Sequence, residues 1–271
     1  MSKSKGNVIT PVPLVEAKSS DVVRYWASTS SLGADTAYSE DVLKIGNKLV
    51  NKLWNASKFA SINLGKLQAD AEITETLDKW IITRLNKTIR EATEQFEQFE
   101  YSKARVAVEE FFWKDFCDNY LEFVKARSYD EKGENAGSQQ SALKTIEICM
   151  DRLLRLWAPF VPHITEELHS IIFGAGKSIH ARGSWPKADL QEDEAAEKIG
   201  IEAVAALEEV RKFKSEQGVS IKFPIKTLEI TSKEELAKVE FDLKSVTSAE
   251  NVKFMHGDLE VEITLADKEA A

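Results

Sequence analysis

Apolar residues recur at three- and four-residue steps along most of the first two-thirds of the chain. Val42, Ile45, Leu49, Leu53, Ala56 and Ala60 predict one amphipathic helix of about 23 residues, ending near Gly65. Ser39 offers its cap, and Glu40 and Asp41 suit the positive end of its dipole. A second stripe follows Thr74, with Leu77, Ile81, Leu85, Ile89, Ala92 and Phe96. A third starts at Ser102 and takes in Ala104, Val108, Phe111, Phe112, Phe116, Tyr120 and Val124. Residues 130–141 read as a polar, glycine-containing turn. A fourth helix carries Leu143, Ile146, Met150, Leu153, Leu154 and Trp157 before Pro159 stops it. Pro162 suits the first turn of a shorter fifth helix, His163 to Phe173. The first forty residues lack helical periodicity, except where Ser19, Ser20 and Asp21 lead into VVRYWAST.

The pattern changes after Trp185 and Pro186. An acidic patch leads into a helix bearing Ile199, Ala203, Leu207 and Val210, then Gly218. Strand-like alternation follows at 227–232, a helix near 234–245, and further alternation at 251–255 and 259–265. His256, Gly257 and Asp258 between the last two predict a hairpin turn. The expected fold class is mainly α: an antiparallel helical bundle followed by a small α+β C-terminal module. Each apolar stripe needs burial on the others, because isolated helices of this length are marginal in water. Three segments are expected: 1–38 as a loop and connecting segment, 39–190 as the bundle, and 191–271 as the α+β module.

Composition narrows the function classes without naming one. The 271 residues are 43% hydrophobic and 30% charged, an ordinary globular mix, and the formal charge is −9. No apolar run reaches the ~18 residues that span a bilayer, and no signal-peptide core opens the chain, so no membrane partner is expected. Cys117 and Cys149 suffice for neither a disulfide framework nor a four-ligand zinc site; they read as buried thiols in a reducing, cytoplasmic setting. The four histidines are scattered, and no metal site is expected. Gly174-Ala-Gly176-Lys177-Ser178 lacks the leading glycine and the preceding strand of a phosphate loop, and reads as a helix C-cap and loop.

The charge is unevenly spread. Residues 1–190 hold 25 basic and 26 acidic side chains, whereas 191–271 hold 11 and 19. Val42 to Ala69 contains no acidic residue but five lysines, of which Lys44, Lys48 and Lys52 form an i, i+4, i+8 stripe. Such a strip can meet a phosphate backbone on an acidic molecule, and a solvated lysine face is the plain alternative.

The start of the chain, MSKSKGNVI, resembles the second signature of class I aminoacyl-tRNA synthetases, Lys-Met-Ser-Lys-Ser followed by Lys-Gly-Asn. DVVRYW (21–26), LGADTAYSED (32–41), NKLWNASKF (51–59), FFWKDFCDNYLEFVK (111–125), LWAPFVPHITEELH (156–169) and SIHARGSWP (178–186) occur in the order used by that class's valine/isoleucine/leucine subgroup. Within it, NKLWNASKF and FCDNYLE look most like the valine-specific members. The signature's first lysine is missing and no His-x-Gly-His occurs. The chain is therefore expected to be a C-terminal part of such a ligase, unable to activate an amino acid alone.

The resemblance implies a helical bundle that binds the anticodon arm of a tRNA, with a valine-specific tRNA expected as partner and a monomer as the form. Alternatives are an isoleucine or leucine ligase, or a non-enzymatic helical scaffold. It also implies that Lys3 acts in catalysis in the intact enzyme, with Met1, Ser2 and Ser4 shaping the ATP loop. ATP with Mg would serve the intact enzyme, and no cofactor is expected on this chain. Bases of an anticodon are read by aromatic stacking and amide hydrogen bonds, while lysines hold the backbone. NKLWNASKF supplies each: Asn51 and Asn55 share a helical face, flanked by Lys48, Lys52 and Lys58. Trp54 could stack on a base, although its residue type favours the core. Arg84, Lys87 and Arg90, at i, i+3, i+6, offer a second basic strip.

Overall fold

The computed structural model describes residues 10–131, 133, 135–176 and 178–266. Its helices are α1 (Pro11–Lys18), α2 (Ser20–Ala27), α3 (Glu40–Leu64), α4 (Thr76–Glu97), α5 (Tyr101–Glu110), α6 (Leu121–Ser128), α7 (Ala136–Trp157), α8 (Pro162–Phe173), α9 (Ile179–Arg182), α10 (Glu194–Glu216) and α11 (Glu240–Thr247). Three strands, β1 (Ile225–Ser232), β2 (Ala249–His256) and β3 (Glu260–Leu265), belong to the C-terminal part. The fold class is the expected one, a helical bundle with a small α+β module. The chain forms two compact units that interleave along the sequence. One takes 1–65, 88–110 and 147–188; the other takes 66–87, 111–146 and 189–271.

In the first unit, α3 starts where its sequence says it should. The Ser39 hydroxyl accepts the Val42 N–H at 3.3 Å, and Gly65 closes the C-terminus. Leu43, Leu49, Leu53, Ala56 and Ala60 are buried along one side. Gly46 lets α2 come close: a Cβ there would lie 2.8 Å from Tyr25 Cδ1. The Tyr25 hydroxyl donates to Glu109 at 2.7 Å and accepts from Arg105 at 3.2 Å; burial first, and then Glu109, push its pKa far up. Asp21 of α2 accepts the N–H groups of His163 and Ile164, so its carboxylate satisfies orphan donors at the start of α8. Phe96 packs on Phe160 and Trp185, and the Trp185 indole donates to Thr93 at 2.8 Å.

The second unit is organised by a buried ion network. Arg127 is 1% exposed and makes paired hydrogen bonds to both Asp78 and Asp242, all between 2.8 and 3.1 Å. The hydroxyls of Tyr120 and Ser141 donate to Asp78 as well. Burial pushes the Asp242 carboxyl up to about 6, against the pull of Arg127. Trp80 fits over Gly200 of α10, where a Cβ would meet the indole at 2.1 Å. Asp193 caps α10 by accepting the Ala196 N–H, and its own N–H goes to Thr83.

Four expectations about elements need correction. The predicted hairpin does not exist: β1 is the central strand, pairing in parallel with β2 and antiparallel with β3. The link through Gly257 crosses the end of β1, where the Gly257 N–H reaches the Ser232 carbonyl. The stripe from Ser102 is interrupted by a wide π-helical segment, Phe111–Tyr120, between α5 and α6. The segment read as a turn over 130–141 is helical from Ala136. Pro11–Lys18 forms a helix that lacks an amphipathic pattern, and its prolines sit in the first turn, where no N–H is needed.

Candidate nucleic-acid interface

The side of α3 away from its buried stripe is a continuous exposed surface. Lys44, Lys48, Asn51, Asn55, Lys58 and Ile62 follow one another at alternating three- and four-residue steps, and all are exposed. Trp54 lies on the same surface at 47% exposure. The expectation that its residue type would place it in the core is overturned: its helical position falls between Asn51 and Lys58 rather than beside Leu49 and Leu53. Lys44 is paired with Asp41 at 2.9 Å. Lys48 and Lys58 have no ion-pair partner among the described residues, and the side-chain amides of Asn51 and Asn55 have no hydrogen-bond partner there either. Lys52 is half-buried at the edge of this surface and engaged in a contact of its own.

The surface thus presents an indole, two amides and two unpaired ammonium groups. Each amide carries both a donor and an acceptor, so it can read a base edge. An exposed indole face can hold a base by stacking. Lysines at either end of that row suit phosphates, which carry no base identity.

The second basic strip does not form a free surface. Arg84 Nε bonds Asp115 at 3.0 Å, and its Nη1 lies 3.7 Å from Glu197. Lys87 pairs with Glu197 too. The Glu197 side chain is only 10% exposed, so these two cations offset a buried carboxylate rather than await a ligand. Arg90 is exposed and also engaged in a contact. Met1, Ser2, Lys3 and Ser4 lie outside the described residues.

Both cysteines are buried. Among the described residues, no group of three His, Cys, Asp or Glu side chains could hold a metal. No helix among them is long and apolar enough to cross a membrane.

The fold is shared with aminoacyl-tRNA synthetases. The Agrobacterium radiobacter K84 LeuRS from a LeuRS–tRNA–LeuAMS ternary complex superposes with a TM-score of 0.51 at 17% identity, covering 100% of this chain and 26% of that one. Mycobacterium tuberculosis methionyl-tRNA synthetase in its free state also gives 0.51, at 19% identity, covering 68% of this chain and 40% of that one. Residues 78–230, more than half of the chain, match the family model of the anticodon-binding domain of tRNA ligase, and the chain belongs to that family.

Curated proteins similar to the chain include valine–tRNA ligases of Rickettsia. That of Rickettsia felis is 48% identical over 266 residues, covering 94% of this chain and 31% of the relative. That of Rickettsia conorii is 45% identical over 275 residues, covering 98% and 34%. The chain therefore spans about a third of the length of the curated relatives it matches.

Proposed function

We propose that the chain is the tRNA-binding portion of a valine–tRNA ligase, and that the exposed side of α3 meets the anticodon arm. The observation that carries this reading is the juxtaposition on one helix of an exposed Trp54, the unengaged amides of Asn51 and Asn55, and the unpaired Lys48 and Lys58. The family membership and the Rickettsia relatives support it. Lys52 contributes at the margin of the surface. Arg84 and Lys87 act in the fold, holding Glu197, and are not assigned to RNA.

In this reading the intact enzyme joins valine to its tRNA with ATP and Mg, and Lys3 stabilises charge on the triphosphate as the adenylate forms. Residues 1–38 lead from the catalytic domain, and the anticodon-arm helices and the α+β strands are divided between the two interleaved units rather than cut at residue 190. The chain alone is a cytoplasmic monomer, binds no cofactor and does not catalyse ATP–pyrophosphate exchange.

The test is a filter-binding comparison of valine and leucine tRNAs with the full chain at fixed salt. The valine tRNA binds at least about tenfold tighter, and exchanging the two anticodons transfers the preference, since each misread base costs about 1–3 kcal/mol. Equal binding of both tRNAs, or a preference that ignores the anticodon, defeats the proposal.

A further inference from the structure

The second unit contains a cavity of about 630 Å³ that the α3 surface does not involve. Its walls come from α6, α10, the loop after α10 and the end of α11. Four cations line it, Lys125, Arg211, Lys214 and Lys222, against a single acid, Glu122. Glu122 is already paired with Lys125 at 3.0 Å.

The other three cations meet no carboxylate among the described residues. Arg211 donates to the side-chain carbonyl of Asn119 at 2.8 Å and to the Asp118 backbone carbonyl at 2.6 Å. Lys214 is 1% exposed, and its ammonium donates to the carbonyls of Ile221 and Thr247 at 2.8 and 2.7 Å. Burial pulls its pKa down, with no acid to oppose the shift. A lysine ammonium has three N–H donors, so one is left over. Lys222 is exposed.

These cations cluster in a chain whose formal charge is −9. Neutral carbonyls solvate a cation without cancelling its charge, and low-dielectric walls focus the resulting field into the cavity. Apolar surface from Leu207 and Val210, with the ring of Tyr129 at 43% exposure, lines the same space. The site thus suits an anion carrying a flat, weakly polar body.

We infer that this cavity binds a nucleoside monophosphate group, with the phosphate on Arg211, Lys214 and Lys222 and the base against Leu207, Val210 and Tyr129. The group comes either as a free mononucleotide or as one nucleotide of an RNA strand. This goes beyond the α3 reading and does not depend on it.

The test uses the full chain carrying Lys48→Glu, Lys58→Glu and Trp54→Ala, which removes the phosphate and stacking contacts proposed for α3. Titration calorimetry with AMP reads the free form, and a short single-stranded RNA reads the strand form. Arg211→Gln with Lys222→Gln weakens whichever ligand binds by at least about tenfold, because each change removes a charge-assisted hydrogen bond. Lys222→Gln alone, at an exposed position, gives a smaller loss and keeps the test decisive if the Arg211 variant does not fold. Binding of AMP assigns the free nucleotide; binding of the RNA without AMP assigns the strand. Saturation by neither, or affinity indifferent to both variants, overturns the inference and leaves Lys214 as a clamp on the end of α11.

Discussion

Replacing Arg127 by methionine strands two buried carboxylates. Asp78 is 0% exposed and Asp242 is 5% exposed, and the Arg127 guanidinium supplies paired hydrogen bonds to each of them. Methionine fills much of the same volume but neutralises nothing. Removing one partner from a buried ion pair costs about 3–5 kcal/mol, mainly because the remaining charge stays desolvated. That is a large share of a domain's usual stability of about 5–15 kcal/mol. The Tyr120 and Ser141 hydroxyls still donate to Asp78, which keeps the loss away from the upper end. Adding Asp78→Asn and Asp242→Asn removes both negative charges and recovers part of the loss. Urea unfolding followed by circular dichroism measures all three chains. A loss below about 1 kcal/mol for Arg127→Met, or a triple variant less stable than the single one, would refute the assignment of charge as the organising force in this unit.

Asp242 gives the same network a pH signature. Its folded pKa, about 6, lies above the ordinary 3.8, so the native state holds more protons than the unfolded chain between those values. Stability attributable to Asp242 is therefore present below pH 4, falls as pH rises through 6 and is flat above; Asp242→Asn abolishes that slope, which urea midpoints at pH 4 to 7 will read. Gly200→Ala forces a Cβ into the Trp80 indole at 2.1 Å and destabilises by about 1–3 kcal/mol, whereas Gly65→Ala meets nothing and is neutral; thermal melts that rank them the other way contradict the packing described. Trp54→Ala changes stability by no more than about 0.5 kcal/mol, as befits a half-exposed site, yet weakens binding of valine tRNA by about 1–3 kcal/mol. A stability loss of core size with unchanged tRNA affinity would contradict that placement.

Helices were legible wherever one side of the element is buried. The α3 boundaries follow from Ser39, the spacing of Leu49, Leu53, Ala56 and Ala60, and Gly65. Strand partners were not. An alternating pair joined by a short glycine link looks like a hairpin whether or not its strands touch. Here the crossover through α11 puts β2 beside β1 in parallel, so β3 takes β1's other edge. The π-helical segment at Phe111–Tyr120 is not legible because the four-residue steps of Phe112, Phe116 and Tyr120 fit an α-helix as well as a wider one.

The candidate surface was half readable for similar reasons. Asn51, Asn55, Lys48 and Lys58 announce a polar side by spacing alone. The residue type of Trp54 argues for the core, whereas the same spacing places it among them. Nothing local could reveal the fate of Arg84 and Lys87, since Asp115 and Glu197 lie far along the chain and meet them only after folding. A periodicity argument sees neighbours at three or four residues, and ion pairs of long sequence separation fall outside its reach.

The central claim is that the exposed side of α3 grips RNA through phosphate contacts at its lysines. The most direct measurement is the affinity of the full chain for valine tRNA across a salt series, wild type against Lys48→Glu/Lys58→Glu. Two lost phosphate contacts reduce the slope of log K against log salt by about 1.4–1.8 and weaken binding across the whole range. An unchanged slope with unchanged affinity would contradict the account.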